Sequence, residues 1–186
     1  MDKQKFIENF RNAFGNYELP IVFWYSDKPV KEPNMTKGCF VNDLKKARGG
    51  MQMSLNEKAS DCPGAKAYLG FAAPSTRGAE FIANQELYKE TSEMVMDWAR
   101  EMNAPDEKGK HLNFASIECI EDLNKVEGLI FFATPDVLSG LVSWVLYDTN
   151  EADAVSVPFG SGCTSMITRT AVENRKNGTR NILGMF

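Results

Sequence analysis

Leu19-Pro20-Ile21-Val22-Phe23-Trp24-Tyr25 is the stretch that decides the fold, because its branched and aromatic residues predict a buried β-strand. An amphipathic helix is predicted before it, where apolar residues recur at helical spacing from Phe6 to Phe14 and Gly15 ends the pattern. A polar loop with prolines follows the strand, over Ser26 to Gly38. The chain therefore begins with a helix and a strand that belong to one core.

Helices and strands alternate along the rest of the chain. Helices are predicted from Cys39 to Ala47, Cys62 to Gly70, Glu86 to Met102, Pro135 to Tyr147 and Cys163 to Asn174. Strands are predicted from Met51 to Leu55, His111 to Ile120, Gly128 to Thr134 and Ala154 to Phe159. We expect the strand at Gly128 to be central in the sheet and the helix at Pro135 to be deeply buried. This order predicts an α/β or α+β fold in which helices cover a mixed sheet.

The length and composition indicate one globular domain over residues 1–186. Hydrophobic residues make up 43% of the 186 residues and charged residues 25%, which is typical of folded proteins. The apolar end of the chain, from Asn181 to Phe186, is interpreted either as a last strand or as a truncated end that lacks a short C-terminal extension.

Charge and hydropathy exclude two classes of partner. The formal net charge is -4 and the basic residues are scattered, with the closest group at Lys45-Lys46-Ala47-Arg48 interpreted as a helix end, so no nucleic-acid partner is expected. The longest apolar run, Gly128 to Ala133, is far shorter than the roughly 20 residues of a membrane span. The N-terminus has no signal-peptide pattern, so a cytoplasmic location is expected.

The cysteines carry the strongest chemical signal. In the cytoplasm all of them are expected to be reduced thiols, and no pair has the close C-x-x-C spacing of zinc or thioredoxin motifs. Cys39, Cys62 and Cys163 each precede or open a predicted helix, where the helix dipole lowers a thiol pKa. If the preceding strands are parallel, these turns meet at one edge of the sheet. Cys119 lies within a predicted strand and is interpreted as a buried structural residue.

Two functions remain open, and neither identifies a reaction or a catalytic residue. In the first, Cys39, Cys62 and Cys163 bind an iron–sulfur group or another thiophilic metal for redox or sensing chemistry. In the second, a small anionic or aromatic molecule binds at a glycine-rich turn, through Gly160, Ser161, Gly162, Thr164 and Ser165. The second pattern is also that of an ordinary tight turn.

Two further features receive structural interpretations. His111, the only histidine, is expected to have a surface or structural role, which argues against a histidine-dependent nucleophile. The apolar helix from Pro135 to Tyr147 would suit either a protein core or self-association into a homo-oligomer.

Short motifs around the cysteines resemble those of a known family. These are Cys39 with Ala47 and Gly49, Cys62-Pro63-Gly64-Ala65 ending in Leu69-Gly70, and the late Gly162-Cys163. Together they resemble domain-of-unknown-function family 169, which is found in archaea and anaerobic bacteria and has no assigned activity. The resemblance implies a type of domain, and its cysteines suggest redox or metal chemistry.

Overall fold

The computed structural model describes residues 2–33, 37–102, 104–105, 108–177 and 181–182. Its α-helices are α1 (Lys3–Phe14), α2 (Leu44–Arg48), α3 (Pro63–Tyr68), α4 (Thr76–Asn84), α5 (Ser92–Glu101), α6 (Pro135–Val145) and α7 (Thr170–Asn177). Short 3₁₀ helices cover Phe40–Asp43, Ile117–Cys119 and Leu123–Lys125, and a π-helix covers Gly162–Arg169. The strands are β1 (Ile21–Ser26), β2 (Met53–Leu55), β3 (His111–Ser116), β4 (Gly128–Ile130), β5 (Val155–Ser156) and β6 (Asn181–Ile182).

These elements confirm the α+β alternative of the fold prediction. The main sheet has the strand order β2-β3-β1-β4, and each of its strand pairs is antiparallel. A separate pair, β5 and β6, is parallel, so the two kinds of pairing occur in different sheets rather than in one mixed sheet. β6 is the described part of the strand predicted at the C-terminus, and residues 183–186 lie outside the described residues. No helix in the described ranges is long and apolar enough to cross a bilayer.

β1 is buried on both faces, as its unbroken apolar sequence predicts. On one face, Phe23 packs in the main core with residues of α2 to α5 and the π-helix. On the other face, Val22 and Trp24 form a smaller core against Phe6 and Ile7 of α1. The first face is the one that carries Cys62 and Cys163.

The helix predicted from Glu86 to Met102 begins later than its apolar pattern indicates. Thr91 caps the N-terminus of α5, because its Oγ1 accepts a hydrogen bond from the Met94 N–H at 3.2 Å. Leu87 instead has a positive φ of 57° and is 76% exposed, so it is not part of the buried stripe. The prediction is wrong for this first turn. α4, which the sequence does not predict, precedes it, and Ser75 caps it in the same way.

Two predictions about burial and position are also wrong. β4 lies at an edge of the main sheet and pairs only with β1 among the described strands, so it is not central. α6 forms as predicted, but Val137 is its only buried residue, and Trp144 is 37% exposed. α6 packs on one side against α1, where Trp144 contacts Phe14 at 5.3 Å between ring centroids. Leu138, Leu141 and Val142 are half-buried, so the helix is covered only in part.

Candidate functional site

Cys62 occupies the N-cap of α3, as its position before Pro63 predicts. Its Sγ accepts a hydrogen bond from the Ala65 N–H at 3.4 Å, so the sulfur takes the capping role that a carboxylate or hydroxyl usually has. The carboxylate of the preceding Asp61 instead contacts another segment of the chain.

Asp61 joins the segments that carry two of the predicted metal ligands. Its Oδ1 accepts a hydrogen bond from the Gly38 N–H at 2.7 Å, so the residues directly before Cys39 and Cys62 are linked. Gly38 has a positive φ of 74°, which glycine adopts without strain. Cys39 follows as the half-buried N-cap of the 3₁₀ helix Phe40–Asp43, and its side chain makes no capping hydrogen bond.

Cys163 lies in the first turn of the π-helix and is buried, with 8% of its surface exposed. The fully buried Thr168 fixes this turn against α3. Its Oγ1 lies 2.9 Å from the Cys163 carbonyl oxygen and 2.6 Å from the Tyr68 carbonyl oxygen, which places both acceptors within reach of one hydroxyl. π-helical segments are rare and are frequently found at functional sites.

Cys163 is affected by the two other predicted thiols. Burial, followed by Cys39 and Cys62, raises the pKa of the Cys163 thiol to about 12, because nearby negative charge opposes its ionisation. Ser161 and the backbone of Cys163 act in the opposite direction. We call Cys39, Cys62 and Cys163 the thiol site. Cys62 packs against the core that contains Cys163, although the main sheet has no parallel edge of the kind that the sequence hypothesis required.

Two tyrosines border the thiol site and reflect its low polarity. Burial raises the pKa of Tyr68 to about 12, and Cys163 and Glu86 add to the increase. Burial also raises the pKa of Tyr25, whose hydroxyl donates a hydrogen bond to the Leu69 carbonyl at 3.1 Å. Charges in such surroundings are poorly screened, so each of these groups favours its protonated form.

The thiols are not arranged to coordinate a single metal ion. No group of three or more histidine, cysteine, aspartate or glutamate side chains among the described residues has the arrangement that holds a metal ion. A tetrahedral ion with Zn–S bonds of about 2.3 Å would bring its sulfur ligands to roughly 3.8 Å from one another. The thiol site is therefore a wider arrangement, in which the sulfur atoms influence each other through space.

The glycine-rich turn predicted to bind an anion uses its hydrogen-bond donors internally. The backbone N–H groups of Thr164 and Ser165 donate to the Ser161 carbonyl oxygen at 3.1 and 2.9 Å. The hydroxyls of the same two residues donate to that oxygen at 3.1 and 2.9 Å. Gly160 has no room for a side chain, because a Cβ there would collide with the Thr164 hydroxyl. These contacts build the turn before Cys163, and Gly162 is buried within it.

The two remaining residues of chemical interest lie elsewhere. Cys119 is exposed in the 3₁₀ helix Ile117–Cys119, so its interpretation as a buried strand residue is wrong, because β3 ends at Ser116. Its Sγ donates a weak hydrogen bond to the Gly50 carbonyl at 3.7 Å. His111 Nδ1 lies 3.2 Å from the Asp27 carbonyl oxygen, a contact with the backbone of the adjoining loop.

Sequence reasoning missed three residues that shape the thiol site: Asp61, Tyr68 and Thr168. Asp61 had a signal, because an acidic residue directly precedes a cysteine, but the pattern suggested a local cap. Tyr68 and Thr168 act over long sequence distances, and no local motif marks them.

The fold is α+β, and Cys62 and Cys163 lie on the helix-covered face of the antiparallel main sheet. A family model described as "Uncharacterised ArCR", DUF169, matches residues 17–185. The chain belongs to this family, which confirms the resemblance of its cysteine motifs. No match was found among curated proteins or among solved structures.

Proposed function

We propose that the thiol site binds an iron–sulfur group through Cys39, Cys62 and Cys163, and that the protein uses it for redox or sensing chemistry. The observation that carries this proposal is the packing of Cys62 against the core that contains Cys163, with the hydrogen bond between Gly38 and Asp61 joining the segment of Cys39 to that of Cys62. The three cysteines come from segments far apart in the sequence.

The electrostatics of the metal-free site favour a cationic partner. A thiolate at Cys39 or Cys62 opposes ionisation of Cys163, and burial of Cys163 adds to that cost. A thiophilic metal replaces the thiol protons and offsets the repulsion with its own positive charge. Soft thiolate ligands select iron–sulfur groups, copper(I) and zinc over harder cations.

The wide arrangement and the number of thiols favour a polynuclear group over one ion. A single structural zinc ion takes four ligands in close contact, and the described residues offer no such group. The thiolates of an iron–sulfur group can bind different iron atoms, which tolerates a wider separation. Three protein ligands would also leave one position open to a substrate or a signal molecule.

The chain supplies hydrogen bonds that suit thiolate ligands. The Ala65 N–H donates to Cys62 Sγ at 3.4 Å, and Ser161 lowers the pKa of the Cys163 thiol. Hydrogen bonds to sulfur and burial from solvent are two of the factors that set the reduction potential of an iron–sulfur group. Such a group would supply one-electron chemistry at this position.

The test compares matched cysteine variants purified without oxygen after expression with ample iron. We expect Cys39→Ser, Cys62→Ser and Cys163→Ser each to lose most of the visible absorption of the wild-type protein. Cys119→Ser is the control, because Cys119 is exposed and lies outside the thiol site, and it should retain the wild-type spectrum. A wild-type spectrum in all three site variants would refute a shared site.

A further inference from the structure

A partly open cavity of about 240 Å³ lies between α3, α4 and α5. Small side chains create this space, because alanines and glycines of these helices and the following loop form much of its wall; Ala67, Ala73, Ala79 and Ala99 are among them. The volume equals that of roughly eight water molecules at about 30 Å³ each. It would accept a molecule of about ten non-hydrogen atoms.

The lining of this cavity has one charged group. Ile82, Val95 and Met96 contribute apolar surface, and Lys66 is the only charged residue among those that line it in the described part of the chain. Lys66 makes no ion pair with any described residue. An unpaired ammonium group beside apolar surface favours a ligand with an apolar body and one negative charge.

The cavity shares a wall with the thiol site. Tyr68 lines the cavity, and its pKa responds to Cys163 on the other side of α3. Gly64 lines it as well, and a Cβ at Gly64 would lie 3.9 Å from Cys62 Sγ and 3.7 Å from the Tyr68 ring. The cavity therefore lies close to Cys62 of the thiol site.

We propose that this cavity binds a small carboxylate with an apolar body, and that Lys66 pairs with the carboxylate while the alanine-rich wall contacts the body. Phenylacetate, an aromatic carboxylate of this size, is the probe, and phenylacetamide is its neutral counterpart. This site differs from the glycine-rich turn at Gly160, and binding of the carboxylate does not require a metal at the thiol site.

The experiment measures the affinity of both probes by titration calorimetry on the full chain. We expect phenylacetate to bind more tightly than phenylacetamide to the wild-type protein. Lys66→Met should weaken phenylacetate binding about fivefold and leave phenylacetamide unchanged, since a partly exposed ion pair contributes modestly. Lys45→Met is the matched control, because Lys45 is an exposed helical lysine that does not line the cavity. It should bind both probes as the wild type does.

Filling the cavity provides the second arm of the test. Ala67→Leu should abolish binding of both probes. Ala73→Leu should have the same effect, and because Ala73 is an exposed residue of the cavity wall, this substitution is less disruptive to folding. Wild-type affinity in both filled variants, or equal affinity for the two probes, would overturn the proposal. Phenylacetate binding retained in Cys163→Ser supports a site separate from the thiols, whereas its loss there with normal folding would contradict that separation.

Discussion

At the scale of single residues, the thiol site shows which chemical features the sequence reveals and which it hides. Cys39, Cys62 and Cys163 could be predicted as a set, because each stands beside a glycine or proline at a helix start. Thr168 could not, because its partners are the carbonyl groups of Cys163 and the distant Tyr68. Local patterns predict candidate ligands, whereas the contacts that position them are long-range.

Cys163 makes the stability of the metal-free protein depend on pH. Its pKa is raised to about 12 in the folded state, so the folded chain keeps a proton that the unfolded chain loses above about pH 8.5. The stabilisation that the protonated Cys163 provides is therefore fully present below about pH 8.5, and it is lost as the pH rises toward 12. Between about pH 9 and 10, we expect the wild-type protein to lose about 1 kcal/mol more stability than Cys163→Ala.

Urea unfolding of the metal-free proteins at several pH values measures this difference. Tyr25 and Tyr68 also titrate at high pH and are present in both proteins, so the part of their contribution that does not depend on Cys163 cancels in the comparison. If the free energy of unfolding changed with pH in the same way for both proteins, Cys163 would not have the raised pKa.

Thr168 is predicted to be a positioning residue. Thr168→Val keeps the shape of the side chain but removes the hydroxyl that reaches the carbonyl oxygens of Cys163 and Tyr68, both in a buried environment. We expect the free energy of unfolding to fall by about 1–3 kcal/mol, with a matching loss of visible absorption from the thiol site.

The control for this change is Thr170→Val in the next turn. Thr170 is half-buried and its Oγ1 makes a longer hydrogen bond, 3.4 Å to the Ser165 carbonyl oxygen, so its loss should cost less than about 1 kcal/mol. Urea unfolding and the absorption spectrum measure both variants. An equal effect of the two substitutions would contradict a special role for Thr168.

At the scale of elements, the sequence predicts most helices and strands but not all of their ends or surroundings. α1 and β1 follow directly from their apolar patterns, and α3 follows from Cys62 and Pro63 at its start. α5 begins after the predicted position because the Thr91 cap ends the apolar stripe. α6 is less buried than predicted, since hydrophobicity does not specify which neighbours will cover a helix.

Leu87, just before α5, gives a prediction at this scale. It has a positive φ of 57° and is 76% exposed, so it carries backbone strain and gains little from burial. Leu87→Gly should therefore raise the free energy of unfolding by about 0.5–1 kcal/mol. Leu87→Ala is the control, because alanine keeps the Cβ and hence the strain. Urea unfolding distinguishes the two variants. If the glycine variant were less stable than the alanine variant, Leu87 would not carry the proposed backbone strain.

At the scale of the whole molecule, the antiparallel sheet and its helical layer account for the site. Strand order is a long-range property, so the sequence predicted α+β as one of two alternatives and placed β4 at the centre instead of the edge. Hydrogen bonds link the segments that carry the thiols, because Asp61 joins those of Cys39 and Cys62, and Thr168 joins α3 to the π-helix. These two connections do not depend on a parallel sheet edge.

The measurement that tests the central claim most directly is the content of iron and acid-labile sulfide per chain in wild-type protein prepared without oxygen. The proposed site predicts stoichiometric iron accompanied by a comparable amount of sulfide, and the loss of both in Cys163→Ser. Wild-type protein that takes up no iron and sulfide under these conditions, or that retains both without Cys163, would contradict the claim.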